Sequence, residues 1–280
     1  EGATAVVTIG SIGQKLTLTH TACFVNQAVN AVIPNNEEFN SLYVFYLLKH
    51  NLNLVKSADT GASSGRENVS KSNFSKLQVL ATLDIKEQER IACILDGYDS
   101  LIENNQRRIA LLEESARLLY REWFVNLRFR GFESVPLTLG VPEGWCKTSI
   151  AEQTTFLNRG ITPAYNESAP GLVINQKCIR EGRLSMLPAR RQSKEVKPER
   201  LIQKGDVLIN STGAGTLGRV AQVRSPVENC AVDTHVTIAR PIGKEWATYF
   251  GQALISLEPT LSGMGKGATN QLELSRNDIG

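Results

Sequence analysis

Three glycines at positions 213, 215 and 218 have the spacing G-x-G-x-x-G, which in dinucleotide-binding domains lets the backbone approach a pyrophosphate. Asp233 lies 20 residues after Gly213, where that fingerprint has its ribose-binding carboxylate. The strand-like VLIN before the glycines fits, but the segment after them, RVAQVRSP, alternates like a strand and reaches Pro226 before a helix could form. The pattern therefore predicts a glycine-rich turn between two strands, with its backbone close to its own sheet or to a DNA phosphate.

Other residues that could act in catalysis lack the partners that their chemistry needs. Glu195 and Lys197 form a nuclease-like E-x-K, but no aspartate lies between Asp99 and Asp206 to complete a metal site. The histidines (20, 50, 235) are isolated, and the cysteines (23, 93, 146, 178, 230) have no C-x-x-C spacing. We therefore expect reduced, structural thiols, no metal site and no catalytic residue in this chain.

Basic side chains are concentrated between Lys177 and Lys204. This strip holds nine basic residues (177, 180, 183, 190, 191, 194, 197, 200, 204) and three acidic ones (181, 195, 199), a local net charge of +6, against +3 for the whole chain. Clustered Lys and Arg supply the sequence-independent part of DNA affinity, whereas a solvated surface has the same composition. Both interpretations remain open on these residues alone.

A long charged helix is predicted from Asp84 to about Arg130, with Asp84 and Glu87 in capping-box spacing and Gly97 as its one internal weak point. Apolar or seam residues recur in steps of three and four at Ile91, Ile94, Tyr98, Leu101, Asn105, Ile109, Leu112, Ala116, Leu119 and Trp123. Some 40 residues make a rod about 60 Å long, which needs another long helix to cover its seam. Asn105 would be a polar register marker on that seam.

The sequences on either side of this helix repeat one another. TIGSIGQ (8–14), FVNQAVNAVIP (24–34) and GASSGRENVSKSNF (61–74) match TGAGTLGR (212–219), AVDTHVTIARP (231–241) and GMGKGATNQLELSRNDI (263–279) in order. A period of about 205 residues exceeds any solenoid repeat and suggests two copies of a whole domain. Residues 141–206 have no counterpart in the first copy, so we interpret the chain as a fragment whose second helix would follow Gly280 and pack antiparallel to the first.

Composition fits this organisation. With 41% hydrophobic and 21% charged residues the chain can form ordinary cores. The sequence has no apolar run of about 18 residues and no signal segment at its start, so we expect a cytoplasmic protein. The expected fold is α+β, with two α/β domains, the first incomplete, separated by a coiled-coil-forming helix. The expected boundaries are 1–83, 84–130 and 131–280.

The run LDIKEQERIACILDGYDSLIENNQRRIALLEESARLLYREWF (83–124) closely resembles the central helical region of type I restriction-modification specificity (S) subunits. GVPEGW (140–145) resembles the opening of their target recognition domains, and LINSTGAGTLGR with TNQLELSRNDI resembles the middle and closing segments. The resemblance covers nearly the whole chain, and it accounts for the repeat because such subunits carry two recognition domains joined and followed by similar helices.

This resemblance implies a non-catalytic subunit that reads a bipartite site in double-stranded DNA, one half per domain, with the helices fixing the gap. Two methyltransferase subunits would dock on it, and motor-nuclease subunits would join for cleavage, so that the assembly would be a site-specific deoxyribonuclease and adenine methyltransferase. S-adenosylmethionine, ATP and Mg²⁺ would belong to those partners, and the chain itself would hold no cofactor. The helix would bind partners through Ile91, Ile94, Tyr98, Leu101, Ile109, Leu112, Leu119 and Trp123.

The resemblance also suggests candidate DNA-binding residues. FLNRGITP (156–163) is similar to an early recognition-domain loop and contributes Asn158, Arg159 and Thr162. The strip after it contributes Lys177, Arg180, Arg183, Arg190 and Arg191. Further positions suited to backbone contact are Lys15, Arg66, Lys71, Arg219, Lys266 and Arg276.

Three alternative functions remain open at this point. A related system with methylation and cleavage fused in one partner would use a similar specificity subunit, and neighbouring genes would separate the two. A coiled-coil scaffold without DNA binding would be indifferent to the basic strip, whereas recognition predicts strong salt dependence. A nucleotide-dependent enzyme would require ligand binding at Gly213 to Gly218.

Overall fold

A computed structural model describes residues 2–59, 67–267 and 272–280 of the chain. The chain divides into two compact units, the N-terminal unit Glu1–Leu111 and the C-terminal unit Leu112–Gly280. Among the described residues, no helix is both long enough and apolar enough to cross a bilayer.

The N-terminal unit begins with a three-stranded antiparallel sheet of β1 (Thr4–Val7), β2 (Leu16–Leu18) and β3 (Val29–Val32), in the order β2-β1-β3. Three short helices follow: α1 (Ser41–His50), α2 (Leu52–Ser57) and α3 (Lys71–Phe74). Polar N-caps stabilise the starts of α1 and α3, since the Asn40 side chain accepts from the Tyr43 N–H and the Ser70 side chain from the Asn73 N–H. The core is small and centres on Val6, Ile12, Val55 and Val69.

The long helix is confirmed as α4 (Ile85–Tyr120), which continues as a π-helix over Arg121–Val125. Its 36 residues span about 54 Å. It ends before the predicted Arg130, because Leu127 has a φ of 57° that an α-helix cannot contain. The predicted capping box is wrong. Asp84 does accept from the Lys86 N–H, but its own N–H is donated to Thr82 Oγ1 at 3.3 Å, and Glu87 instead pairs with Arg90.

In its described residues, the C-terminal unit has two larger sheets, two small hairpins and, after the end of α4, three helices. After a 3-10 turn at Phe132–Ser134, its strands are β4 (Leu137–Thr138), β5 (Val141–Pro142), β6 (Thr154–Arg159), β7 (Gly171–Ile174), β8 (Ile179–Arg180), β9 (Arg183–Leu184), β10 (Arg190–Gln192), β11 (Val207–Asn210), β12 (Val220–Gln222), β13 (Cys230–Val232) and β14 (Val236–Pro241). Its helices are α5 (Ala247–Ser256), α6 (Glu258–Gly263) and α7 (Arg276–Ile279), and short 3-10 turns lie at Gln176–Cys178 and Pro198–Arg200.

The main sheet of this unit is antiparallel with the order β12-β11-β14-β6, and the second has the order β10-β7-β13 with β7 and β13 parallel. β4 pairs with β5 and β8 with β9 as small hairpins. Strand β11 is buried along its whole length, because one core of the unit centres on Leu208 and Ile238 and the other on Ile209 and Leu254. The fold class is confirmed: helices and mainly antiparallel sheets, with a long helix between the two repeats in sequence.

The internal repeat is confirmed by strand register. In the first copy Thr4 pairs with Val32 and Leu18, and in the second Val207 pairs with Ala239 and Gln222. The order β2-β1-β3 thus recurs as β12-β11-β14, and the helices α1, α2 and α3 recur as α5, α6 and α7. Strands β6, β7, β10 and β13 have no counterpart among the described residues of the N-terminal unit.

The predicted glycine-rich turn is also confirmed, because β12 runs antiparallel to β11 immediately after Gly218. Any Cβ at Gly218 would overlap the backbone of Ser262 in α6. A Cβ at the equivalent Gly13 would lie only 2.9 Å from the Leu52 carbonyl oxygen. In both copies the glycine lets the hairpin turn pack against a helix of its own unit.

Candidate nucleic-acid interface

Three of the predicted DNA-binding residues meet where β6 ends. Arg159 donates from Nη2 to the Leu274 carbonyl at 2.6 Å and pairs with Glu273, while Arg276 reaches Asn158 Oδ1 at 3.5 Å. Because its guanidinium has these two partners, Arg159 fastens the segment before α7 to β6. We call Asn158, Arg159 and Arg276 the β6-end cluster.

Lys266 lies close to this cluster through its backbone pairing with Glu273. Its ammonium bonds Asp278 at 2.5 Å, and Ser275 completes a capping box with the same carboxylate. The Lys266 ammonium, followed by the Ser275 hydroxyl and N–H, holds the pKa of Asp278 well below its usual range. Lys266 therefore has an acidic partner at the surface.

Arg190 and Arg191 lie on β10, the edge strand of the second sheet. The Arg190 guanidinium stacks 3.7 Å from the Tyr165 ring centroid and lies 3.9 Å from Glu167. Arg191 donates to the Ala169 carbonyl at 2.9 Å. Both side chains remain exposed and hold the 162–170 loop against β10. We call this surface the β10 edge.

Lys194 extends the β10 edge, because its ammonium donates to the Thr162 carbonyl at 3.1 Å. Thr162 itself is exposed and is brought next to the strip in this way. The recognition-like loop and the C-terminal part of the basic strip therefore lie together, 32 residues apart in sequence.

The other members of the strip lie elsewhere in the C-terminal unit. Lys177 is exposed on a 3-10 turn and has no side-chain partner within the described part of the chain. Arg180, on the β8–β9 hairpin, bonds the neighbouring Glu181 at 3.2 Å. Arg183, on the same hairpin, pairs with Glu113 of α4. The strip is thus distributed over separate surfaces and is not one continuous face.

The remaining candidates are on loops and helix starts. Arg219 donates to the Gly215 carbonyl at 2.7 Å and so closes the glycine-rich loop. Lys15 and Lys71 are exposed, the first after the equivalent loop and the second as the first residue of α3. Arg66 lies outside the described residues.

The seam of α4 is exposed. Of its eight predicted partner-binding residues, Ile91 is half-buried and the other seven are exposed, from 38% at Trp123 to 68% at Leu112. The stripe is wider than predicted, because Leu95, Ile102, Leu111 and Leu118 are also exposed. Such a row of apolar side chains on one helix is typical of a surface that another protein element covers.

Residues 4–114 match the family of type I restriction modification DNA specificity domains. This N-terminal part of the chain is therefore similar to type I specificity subunits. A member of this family, the type I restriction enzyme MjaIX specificity subunit of Methanocaldococcus jannaschii, is 27% identical over 124 residues, which cover 43% of this chain and 28% of that protein. The chain thus spans well under half the length of this curated relative.

The crystal structure of a type I restriction-modification system S subunit from M. genitalium aligns with 94% of this chain and 66% of its own, at a TM-score of 0.55 and 19% identity. This likeness supports the fold shared by specificity subunits. The resemblance stated from the sequence is therefore confirmed.

Within each unit, α4 has ion pairs and hydrogen bonds that the sequence does not indicate. In the N-terminal unit Asp99 accepts from Lys49 Nζ at 2.7 Å and Tyr46 Oη at 3.2 Å. The Lys49 ammonium lowers the pKa of Asp99, and burial together with Asp99 raises the pKa of Tyr46 to about 12. In the C-terminal unit Glu113 receives two arginines. Pairs so distant in sequence leave no local pattern.

A second missed group surrounds His235, which the sequence presented as isolated. Its Nδ1 lies 2.7 Å from Thr212 Oγ1, and its backbone N–H donates to the buried Asp233 carboxylate. Burial raises the pKa of Asp233, against the effect of that N–H and of His235 itself. Cys230 and Cys178 are buried and unpaired, and burial raises the pKa of Cys230 to about 12. A buried thiol that stays protonated is unreactive, so Cys230 has a structural role.

Proposed function

We propose that this chain reads DNA sequence within a type I restriction-modification complex, one half of a bipartite target through each recognition domain. The observation that carries the proposal is the match of residues 4–114 to a DNA specificity domain, together with the same strand order on both sides of α4. Two copies of one domain on either side of a long helix suit a target made of two separated halves.

The proposed division is 1–83 for the first recognition domain, 84–130 for the helical spacer and 131–280 for the second. The β10 edge supplies the strongest candidates for DNA contact, because Arg190 and Arg191 are exposed and Lys194, three residues after Arg191, binds the carbonyl of exposed Thr162. Guanidinium groups bind both phosphates and guanine edges. The full proposed set is Lys15, Arg66, Lys71, Asn158, Arg159, Thr162, Lys177, Arg180, Arg183, Arg190, Arg191, Arg219, Lys266 and Arg276.

The partners of this assembly are methyltransferase subunits, which dock on the exposed seam of α4, and motor-nuclease subunits, which complete the cleaving complex. Chemistry belongs to these partners, with S-adenosylmethionine, ATP and Mg²⁺ bound there. The chain itself acts as a non-catalytic reader. Its helical seam supports this division, since a row of exposed apolar side chains needs a protein surface to cover it.

The proposal is tested by titrating the full chain, alone and with its methyltransferase, against random-sequence duplexes at several salt concentrations. A DNA reader loses affinity steeply as salt rises, with a log-log slope of about −0.9 for each phosphate contact. Selection from the same random pool then enriches two short motifs at a fixed separation. Binding without salt dependence and without an enriched motif contradicts the proposal.

A further inference from the structure

One carboxylate of α4 receives two arginines from the body of the C-terminal unit. Glu113 Oε2 accepts from Arg183, with Nε at 2.7 Å, and Glu113 Oε1 accepts from Arg224 Nη1 at 2.8 Å. Both oxygens are therefore used, and one of the two arginines binds through two nitrogens. The Glu113 side chain is only 25% exposed, so this ion pair is less screened than one on an open surface.

The two arginines come from two segments of the chain that are joined to each other. Arg183 begins β9 in the β8–β9 hairpin, and Arg224 follows the end of β12. Gly182 in the hairpin turn forms a bridge with Ala221 of β12. Through Glu113, α4 is thus fastened at one point to both the hairpin and the edge of the main sheet.

The surroundings of Glu113 are positively charged. A cavity of about 790 Å³ beside it is lined by Lys204, Arg224 and Lys244 as well, and Glu113 is the one acidic residue among the described residues that line it. Loss of its charge would leave Arg183 and Arg224 without the carboxylate that they bind. The negative charge of Glu113 therefore attracts the positively charged edge of the main sheet to α4, and its removal would abolish this attraction.

We propose that Glu113 is a positioning residue, which fixes the orientation of the second recognition domain on α4 and thereby the number of base pairs between the two half-sites. This inference rests on the proposed function. Two arginines on one carboxylate define a direction as well as a distance, since guanidinium groups bind carboxylates in fixed planar geometry. A domain held in this way presents its DNA-binding surfaces in one rotational phase relative to the helix.

The test is selection by the full chain from a pool of random duplexes of about 30 base pairs, three turns of B-DNA. The variant is Glu113→Gln, and the matched control is Glu114→Gln, because among the residues that the structure describes Glu114 forms its ion pair along the helix, with Arg117. For Glu113→Gln we expect both half-site motifs to be retained. The preference for the wild-type gap over a gap one base pair longer should fall by about tenfold, within the range for mutations in a network that couples two sites.

Arg224→Gln removes one of the two arginines that bind Glu113 and should give a smaller loss of gap preference. This variant replaces Glu113→Gln in the test if Glu113→Gln does not fold. Hydrogen exchange is the second measurement. Glu113→Gln should accelerate exchange in 179–184 and 220–224, whereas Glu114→Gln should not. A purely structural role would lower stability or affinity without widening the range of gaps.

Each outcome separates the inference from the function on which it rests. If the wild type selects two motifs at one gap and Glu113→Gln keeps the same gap preference, the positioning role is overturned and DNA reading stands. Unchanged exchange in the hairpin would likewise overturn the role of Glu113. If the wild-type chain selects no motif at all, the proposed function fails and the inference fails with it.

Discussion

At the scale of single residues, the β10 edge carries the two arginines that we propose as the strongest candidates for DNA contact. Arg190 and Arg191 also hold the 162–170 loop, through the Tyr165 ring and the Ala169 carbonyl. These neighbours therefore fix the orientation of both guanidinium groups. Contacts to phosphate and contacts to a base differ in how they depend on salt and on sequence.

We predict that Arg190→Ala with Arg191→Ala weakens DNA binding and flattens its salt dependence by up to about two units of log-log slope, since each lost phosphate contact removes close to one released counterion. If one arginine contacts guanine, the loss is concentrated on the cognate site, by about 1 to 3 kcal/mol. Titrations on cognate and scrambled duplexes separate these outcomes. The matched control is the double variant Arg107→Ala with Arg108→Ala on α4. If the β10-edge variant kept the affinity and the salt dependence of the wild type, the prediction would be wrong and the edge would face solvent.

A second prediction concerns Asp233, whose pKa is raised by burial. When the pKa of a carboxyl group is higher in the folded than in the unfolded protein, the group stabilises the folded state at low pH. This contribution is complete below the unfolded-state pKa of about 4 and is lost as pH rises through the folded-state pKa. Asp233→Asn keeps an oxygen for the His235 N–H. It should therefore remove part of the fall in unfolding free energy between acidic and neutral pH. Urea unfolding at several pH values checks this, and an unchanged pH profile would contradict it.

At the scale of elements, the long helix and the glycine-rich turn could be predicted because both follow from spacing along the chain. The three-and-four spacing of Ile94, Tyr98 and Leu101 requires only a regular helix. The pairing of Glu113 with Arg183 could not be predicted, since it joins residues 70 apart across the folded unit. The early helix end could not be predicted either, because Leu127 adopts its positive φ only in the folded chain.

We predict that Leu112→Asp with Leu119→Asp weakens binding of the methyltransferase or of a paired helix. Both residues are exposed on the seam, so the chain itself should keep its stability, whereas burying each carboxylate in an interface costs about 2 kcal/mol or more. Gel filtration of the mixed subunits measures the effect. The control is Asn104→Asp with Ala110→Asp, because both residues are exposed and lie off the seam. If the seam variant still assembled with its partner, the proposed interface on α4 would be wrong.

We also predict that four residues inserted near Asn105 change the gap in the recognised site while both half-sites stay readable. Four helical residues add about 6 Å, nearly two base pairs of B-DNA. Mapping of methylated sites made by the altered subunit gives the result. Methylation at the original gap would show that α4 does not set the spacing.

At the scale of the whole molecule, the repeat could be predicted from ordered sequence matches, and its strand register agrees pair by pair. For the proposed DNA-binding surfaces, the sequence predicts a basic composition but not their places in the fold. The basic strip from Lys177 to Lys204 lies on a helix-facing hairpin, an edge strand and a turn, because the chain reverses direction several times within it. The charge of this strip therefore does not predict one continuous surface, and its contact with DNA stays a prediction.

The most direct test of sequence reading compares methylation maps of host DNA with and without this chain, in the presence of its methyltransferase. Recognition by two domains at a fixed separation predicts that one bipartite motif, two short halves with a constant gap, loses all its methyl groups when the chain is removed and regains them when it is restored. Identical maps with and without the chain would contradict the proposal that it reads DNA.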